Sequence, residues 1–193
     1  MPEWATFVGI AGVVTVLLLA LSHVSQSAVE DPDPEAQLTT GFLLVNVALS
    51  QGVFLGVLVA AAWYTEIPLE ALGIGTEPTG TTALAIGLGF GLVLYLGSEL
   101  GGASADRLGL EYDEGLRELL APESAGGWLV LLGFVLPVIA VFEELLFRAA
   151  LIGAVSAGYG VSPWLLAVLS SILFALGHGA QGKTGIVMTG LLG

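Results

Sequence analysis

A chain of 193 residues with 17 Asp and Glu, only 4 Lys and Arg, and a mean hydropathy of +0.93 is not a soluble globular domain. The acid excess disfavours binding to nucleic acid or to an anionic membrane surface, and the absence of cysteine excludes a disulfide framework and thiol chemistry. What remains is an integral membrane protein whose 28 glycines let helices approach one another closely.

A membrane-crossing helix needs about 20 apolar residues. The sequence therefore predicts an all-α, polytopic transmembrane helical bundle of about five spans plus the start of a sixth. Trp4–Val29 is the first span, uncharged apart from His23, which reads as an interfacial residue. Met1-Pro2-Glu3 lacks the basic start of a signal peptide, so the span is expected to be retained. The acidic loop Glu30–Glu35 follows. Ala36–Thr65 is the second span and ends in the aromatic pair Trp63-Tyr64, suited to the headgroup zone. Glu66–Gly80, with Pro68 and Pro78, reads as a connection. Thr81–Ser98 is the third span.

Gly101–Glu123 is amphipathic: Leu108, Leu110, Leu116, Leu119 and Leu120 alternate with acids and with Arg107 and Arg117, which predicts an interfacial segment. The fourth span runs from about Gly127 to Leu151 with Pro137 near its middle. Ser162–Leu176 is the fifth, with Pro163 in its first turn. Gly177–Gly185 and a short apolar tail come last, so the chain is expected to stop inside a sixth span. These features divide it into 1–126, N-terminal membrane helices with acidic loops and an interfacial segment, and 127–193, a partial core that carries the chemistry. The acid excess between spans is read as the mark of a salt-adapted organism, with the protein in its cell membrane.

The chemistry is signalled by charge in the wrong place. No charged residue occurs from Ser124 to Phe142, then Glu143, Glu144 and Arg148 fall within six residues, and the next charge is Lys183. Each charge at the centre of a membrane helix costs about 2.5–3.5 kcal/mol on insertion scales, so the cluster must face a protein interior or a wet cavity. Glu144 and Arg148 are neighbours on one helical face and can pair. Glu143 points about 100° away, free to act as a general base. Phe174 and His178 are four apart on the fifth span, where the imidazole can orient a water or bind a metal and the ring can shape a pocket wall. Glu143 and His178 could then activate one water between two helices.

Val141-Phe142-Glu143-Glu144-Leu145-Leu146-Phe147-Arg148 resembles the E-E-x-x-x-R motif of the CPBP family, which includes the type II CAAX prenyl endopeptidases and the bacteriocin-processing membrane proteins. Phe174-Ala175-Leu176-Gly177-His178 is similar to its second motif, F-x-x-x-H. The resemblance covers roughly Trp128–Gly193 and implies an intramembrane endopeptidase acting on a membrane-associated peptide or lipidated peptide, with membrane lipids around it. By that analogy Glu143 and His178 activate the attacking water, Glu144 and Arg148 hold the site together, and Phe174 and Phe147 line the substrate pocket. Either a glutamate mechanism or a divalent metal such as Zn held by Glu143 and His178 is open. The family's third motif, H-x-x-x-N or H-x-x-x-D, is absent because no histidine follows His178. The chain is thus expected to be truncated before that motif and poorly active alone.

Three alternatives compete. Gly177-His178-Gly179-Ala180-Gln181-Gly182-Lys183-Thr184 matches a phosphate-binding loop, but such a loop follows a strand of a parallel sheet, so nucleotide binding is disfavoured. A transporter subunit would use the charges as a relay. A catalytically inactive scaffold or bacteriocin-immunity protein would keep the fold without the full chemistry.

Overall fold

The structure is a computed structural model and describes residues 1–30, 39–75, 78–107, 120–179 and 182–192. Among these residues there are helices and turns and no strand. The helices are α1 (Trp4–Glu30), α2 (Thr40–Tyr64), α3 (Gly80–Arg107), α4 (Ala125–Tyr159), α5 (Pro163–Gly177) and α6 (Gly182–Leu192). Helices α1 to α4 are long and apolar enough to cross a membrane. The polytopic all-α bundle expected from hydropathy is therefore what forms. The fifth expected span is a shorter apolar helix of 15 residues, roughly 22 Å long at about 1.5 Å per residue.

The ends follow from local chemistry. Thr39 caps α2 by accepting the Phe42 N–H, and Ser124 caps α4 by accepting the Gly127 N–H, each satisfying one free donor of a first turn. Helix α4 runs on past the expected end at Leu151, because Ile152–Tyr159 holds no proline, and stops at Gly160 in the left-handed conformation (φ 67°). Its 35 residues exceed the roughly 30 Å hydrocarbon core, so it tilts or projects. Helix α3 likewise continues past Ser98 to Arg107, through the first turns of the stretch expected to be amphipathic. Gly101 and Gly102 do not stop it, since no proline follows them and glycine is common in membrane helices. Leu108, Leu110, Leu116, Leu119 and Arg117 lie outside the described residues, as does most of the acidic loop after Glu30.

Two stretches of α4 are π-helical, Leu131–Val135 and Glu144–Ala154. The first immediately precedes Pro137, whose missing N–H already breaks the regular ladder. The second begins at the charged cluster. In the wider π turn, residues four and five apart share a face, which keeps Glu144 and Arg148 in register along the helix.

The core joins the two halves of the chain. Phe7, Ala11 and Val14 of α1, Leu58 and Ala61 of α2, and Phe142, Leu146, Phe147, Ala150 and Ala154 of α4 form one buried cluster. The Phe54 ring stacks on Phe142 with centroids 5.9 Å apart. The connection after α2 folds inward: Ile67 and Leu72 are buried, and a 3-10 turn at Leu69–Leu72 lies against α4. That approach is possible because position 153 is glycine; a Cβ there would stand 2.2 Å from the Ala71 carbonyl oxygen. None of the described side chains of α3 is buried.

Candidate functional site

The site forms where the start of the second π stretch of α4 meets the C-terminal end of α5. Pro163 opens α5 and Gly177 closes it, so that His178 occupies the C-cap position (φ −104°, ψ 25°). The last carbonyls of a helix have no N–H partner within it. Here two of them are taken by His178 itself: its backbone N–H donates to Ala175 (3.0 Å), and its Nδ1 lies 2.8 Å from the Phe174 carbonyl oxygen. A carbonyl only accepts, so this contact requires the proton on Nδ1 and leaves Nε2 of the neutral ring as an acceptor.

That Nε2 faces Glu143 Oε1 across 3.7 Å. The separation is too long for a direct hydrogen bond. Both side chains are mostly enclosed, 25% exposed for His178 and 23% for Glu143. Glu144 and Arg148 pair on the neighbouring face, with Nη1 and Oε1 also 3.7 Å apart. Glu144 is 63% exposed, so the two adjacent glutamates occupy different environments. The spacing thus brings together each pair named from the sequence, Glu143 with His178 and Glu144 with Arg148.

Aromatic rings join the two pairs. Phe147, fully buried on α4, meets Phe174 of α5 edge to face, with centroids 5.0 Å apart and planes at 81°. Phe174 is in turn 4.5 Å from the His178 ring, and the Arg148 guanidinium lies over it at 5.1 Å. Both rings expected to line the pocket therefore stand beside the charged groups. The guanidinium–ring contact could not be read from the sequence, because Arg148 and Phe174 are on different helices.

Two hydroxyls also went unread. Ser170 is buried, and its Oγ donates to the Phe147 carbonyl at 2.8 Å, tying α5 to the π stretch of α4. It precedes Phe174 and His178 at intervals of four, a spacing that places all three on one side of α5. Ser22 of α1 donates to the Gly177 carbonyl; nothing in the first span marks it.

A groove of about 680 Å³ runs on the other side of α4, between that helix and the 3-10 turn, with Glu70, Ala71, Glu144, Arg148 and Gly153 among its lining. Glu144 and Arg148 face it, whereas Glu143 and His178 are turned toward α5. For a metal, Glu143 and His178 supply two donors, and among the described residues no group of three His, Cys, Asp or Glu side chains converges. Catalytic zinc sites ordinarily use three protein ligands, so this donor set does not fit such a site. Ser171–Leu176, the strand that a phosphate-binding loop would need, is helical.

Four long apolar helices mark the chain as an integral membrane protein, with the charged cluster where α4 meets the end of α5. Residues 125–193, a little over a third of the chain, match the family described as Rce1-like, type II CAAX prenyl endopeptidase. No curated protein and no solved structure matches the chain.

Proposed function

We propose that the protein is an intramembrane endopeptidase that hydrolyses a peptide bond of a membrane-associated substrate with a water held between Glu143 and His178. The observation that carries this reading is the approach of Glu143 Oε1 and His178 Nε2 to 3.7 Å from two different helices, within the segment that matches the protease family.

With Nδ1–H committed to the Phe174 carbonyl, Nε2 and the Glu143 carboxylate are two acceptors facing each other. Once the pair opens by about 1 Å, a water seated between them donates one hydrogen to each and keeps both lone pairs for attack. Glu143 takes the first proton as the water oxygen attacks the scissile carbonyl carbon. The C–N bond then breaks, and the proton passes from Glu143 to the departing amine. His178 keeps the water oriented throughout, which converts a diffusional encounter into a positioned one. Phe174 and Phe147 form the apolar wall beside this water. The Glu144–Arg148 pair and the cation over Phe174 hold that wall to α4.

The matched family's description names prenyl substrates; for this chain a lipidated CAAX-type peptide is the first substrate to try. The test is cleavage of a fluorogenic prenylated tetrapeptide and its unprenylated twin by the protein in liposomes. Glu143→Gln and His178→Ala are run in parallel, and folding is monitored by circular dichroism. Cleavage that both substitutions abolish in folded protein supports the reading, and the twin reports on the lipid. Cleavage that survives either substitution refutes the mechanism.

A further inference from the structure

We propose that Ser22, in the first membrane helix, is a positioning residue that fixes the orientation of His178. The inference rests on the reading of His178 as the group that orients the water.

A serine or threonine inside a helix ordinarily returns its hydroxyl to the carbonyl four residues back. Thr15 does so in α1, donating to Ala11 at 2.8 Å, and Ser104 does so in α3, donating to Leu100 at 2.7 Å. Ser22 does not. Its Oγ crosses to α5 and donates to the carbonyl of Gly177, 155 residues away in the chain. That carbonyl is one of the last four of α5 and has no N–H partner in its own helix.

The peptide unit involved is the one that links Gly177 to His178. It is planar, so holding its oxygen and its N–H at once fixes its plane. Ser22 holds the oxygen, and the Ala175 carbonyl accepts from the N–H. Glycine flanks His178 on both sides, so neither neighbour resists rotation of the backbone by its own side chain. Without the Ser22 anchor, the aim of the imidazole at Glu143 would rest on contacts within α5 itself, its Nδ1 on the Phe174 carbonyl, its ring on Phe174 and its N–H on Ala175. Leu19, one turn before Ser22, is near enough that a Cβ at position 177 would touch it at 3.9 Å, and α1 and α5 are in contact.

The chain contains two histidines, His23 and His178, so ¹⁵N-histidine labelling gives a spectrum in which His178 is identified by a His178→Gln control. In the full chain, reconstituted in nanodiscs, His178 is expected to show one fixed form with a proton held on Nδ1. Ser22→Ala is expected to replace this with exchange between tautomers, and Ser22→Thr to restore it. In the cleavage assay Ser22→Ala is expected to lower kcat by about 10- to 100-fold with KM unchanged. Ser22→Cys, a weaker donor of similar size, takes its place if the alanine variant does not fold. A His178 spectrum unaltered by Ser22→Ala overturns the proposal whether or not the protein cleaves peptide. A moved spectrum with unaltered kcat in an active enzyme overturns it as well. A moved spectrum in a protein that cleaves neither peptide upholds the positioning role and counts against the peptidase reading instead.

Discussion

The Arg148 guanidinium lies over the Phe174 ring, 5.1 Å from its centroid, and the same ring packs 4.5 Å from the imidazole of His178. One aromatic ring of α5 thus contacts both a cation of α4 and the imidazole at its own helix end. A guanidinium stacks on a ring face in a way an ammonium does not. Arg148→Lys keeps the charge beside Glu144 but is expected to lose most of the ring contact, about 0.5–2 kcal/mol of stability. Thermal unfolding in detergent measures this, with cleavage rate alongside. A lysine variant equal to the parent in both would show that charge alone matters at this position.

The adjacent glutamates separate by environment. Glu143 is 23% exposed and faces His178, whereas Glu144 is 63% exposed and faces Arg148 and the groove. Glu143→Gln is isosteric and removes the proton acceptor, so peptide cleavage is expected to fall about 10²- to 10⁴-fold with little change in unfolding temperature. Glu144→Gln weakens an exposed ion pair worth about 0–1 kcal/mol and leaves the water untouched. Its cleavage rate is expected to stay well above that of the Glu143 variant. Equal losses in the two variants would place both carboxylates at the reacting water.

Ser170 offers a different kind of test, because its hydroxyl holds a carbonyl rather than a side chain. Its bond to Phe147 joins α5 to α4 inside the π stretch, and both partners are buried. Ser170→Ala leaves that carbonyl without its donor at a cost of about 1–3 kcal/mol. Ser170→Thr keeps the hydroxyl and adds a methyl. Unfolding in detergent should therefore rank serine first, threonine next and alanine last. An alanine variant as stable as the parent would mean that water or a shifted backbone satisfies Phe147.

The spans and the charged cluster were legible in the sequence because both are read along one strand of chain. Hydropathy finds α1 to α4 by length alone, and Glu143, Glu144 and Arg148 stand out against an uncharged run of α4. The pairing of Glu143 with His178 was legible as two spaced motifs whose residues the fold then brings together. What the sequence did not show are contacts between helices: Arg148 over Phe174, Ser170 on Phe147 and Ser22 on Gly177. A hydroxyl in a membrane helix has the same local options everywhere, and only the packing decides whether it turns back on its own helix or reaches across. The π stretch was hidden for a related reason. Glu144–Ala154 holds mostly residues that suit either register, and it packs against α1, α5 and the 3-10 turn.

Gly153 decides how closely that 3-10 turn can lie on α4. A Cβ at this position would meet the Ala71 carbonyl oxygen at 2.2 Å, so backbone, not a flexible side chain, would have to move. Helix propensity alone favours alanine over glycine by about 1 kcal/mol, and overpacking costs about 1–3 kcal/mol. The rigid obstacle puts Gly153→Ala at the costly end of that range, so net destabilisation is expected, together with displacement of the turn and a change in the groove that Glu70, Glu144 and Arg148 line. Gly133 lies on the same helix, and a methyl group added there would meet nothing within 4 Å. Gly133→Ala is therefore expected to leave the unfolding temperature unchanged or raise it. Opposite shifts in the two variants would establish that the turn is seated against α4 through Gly153, whereas a parallel rise would mean that the turn stands clear of the helix.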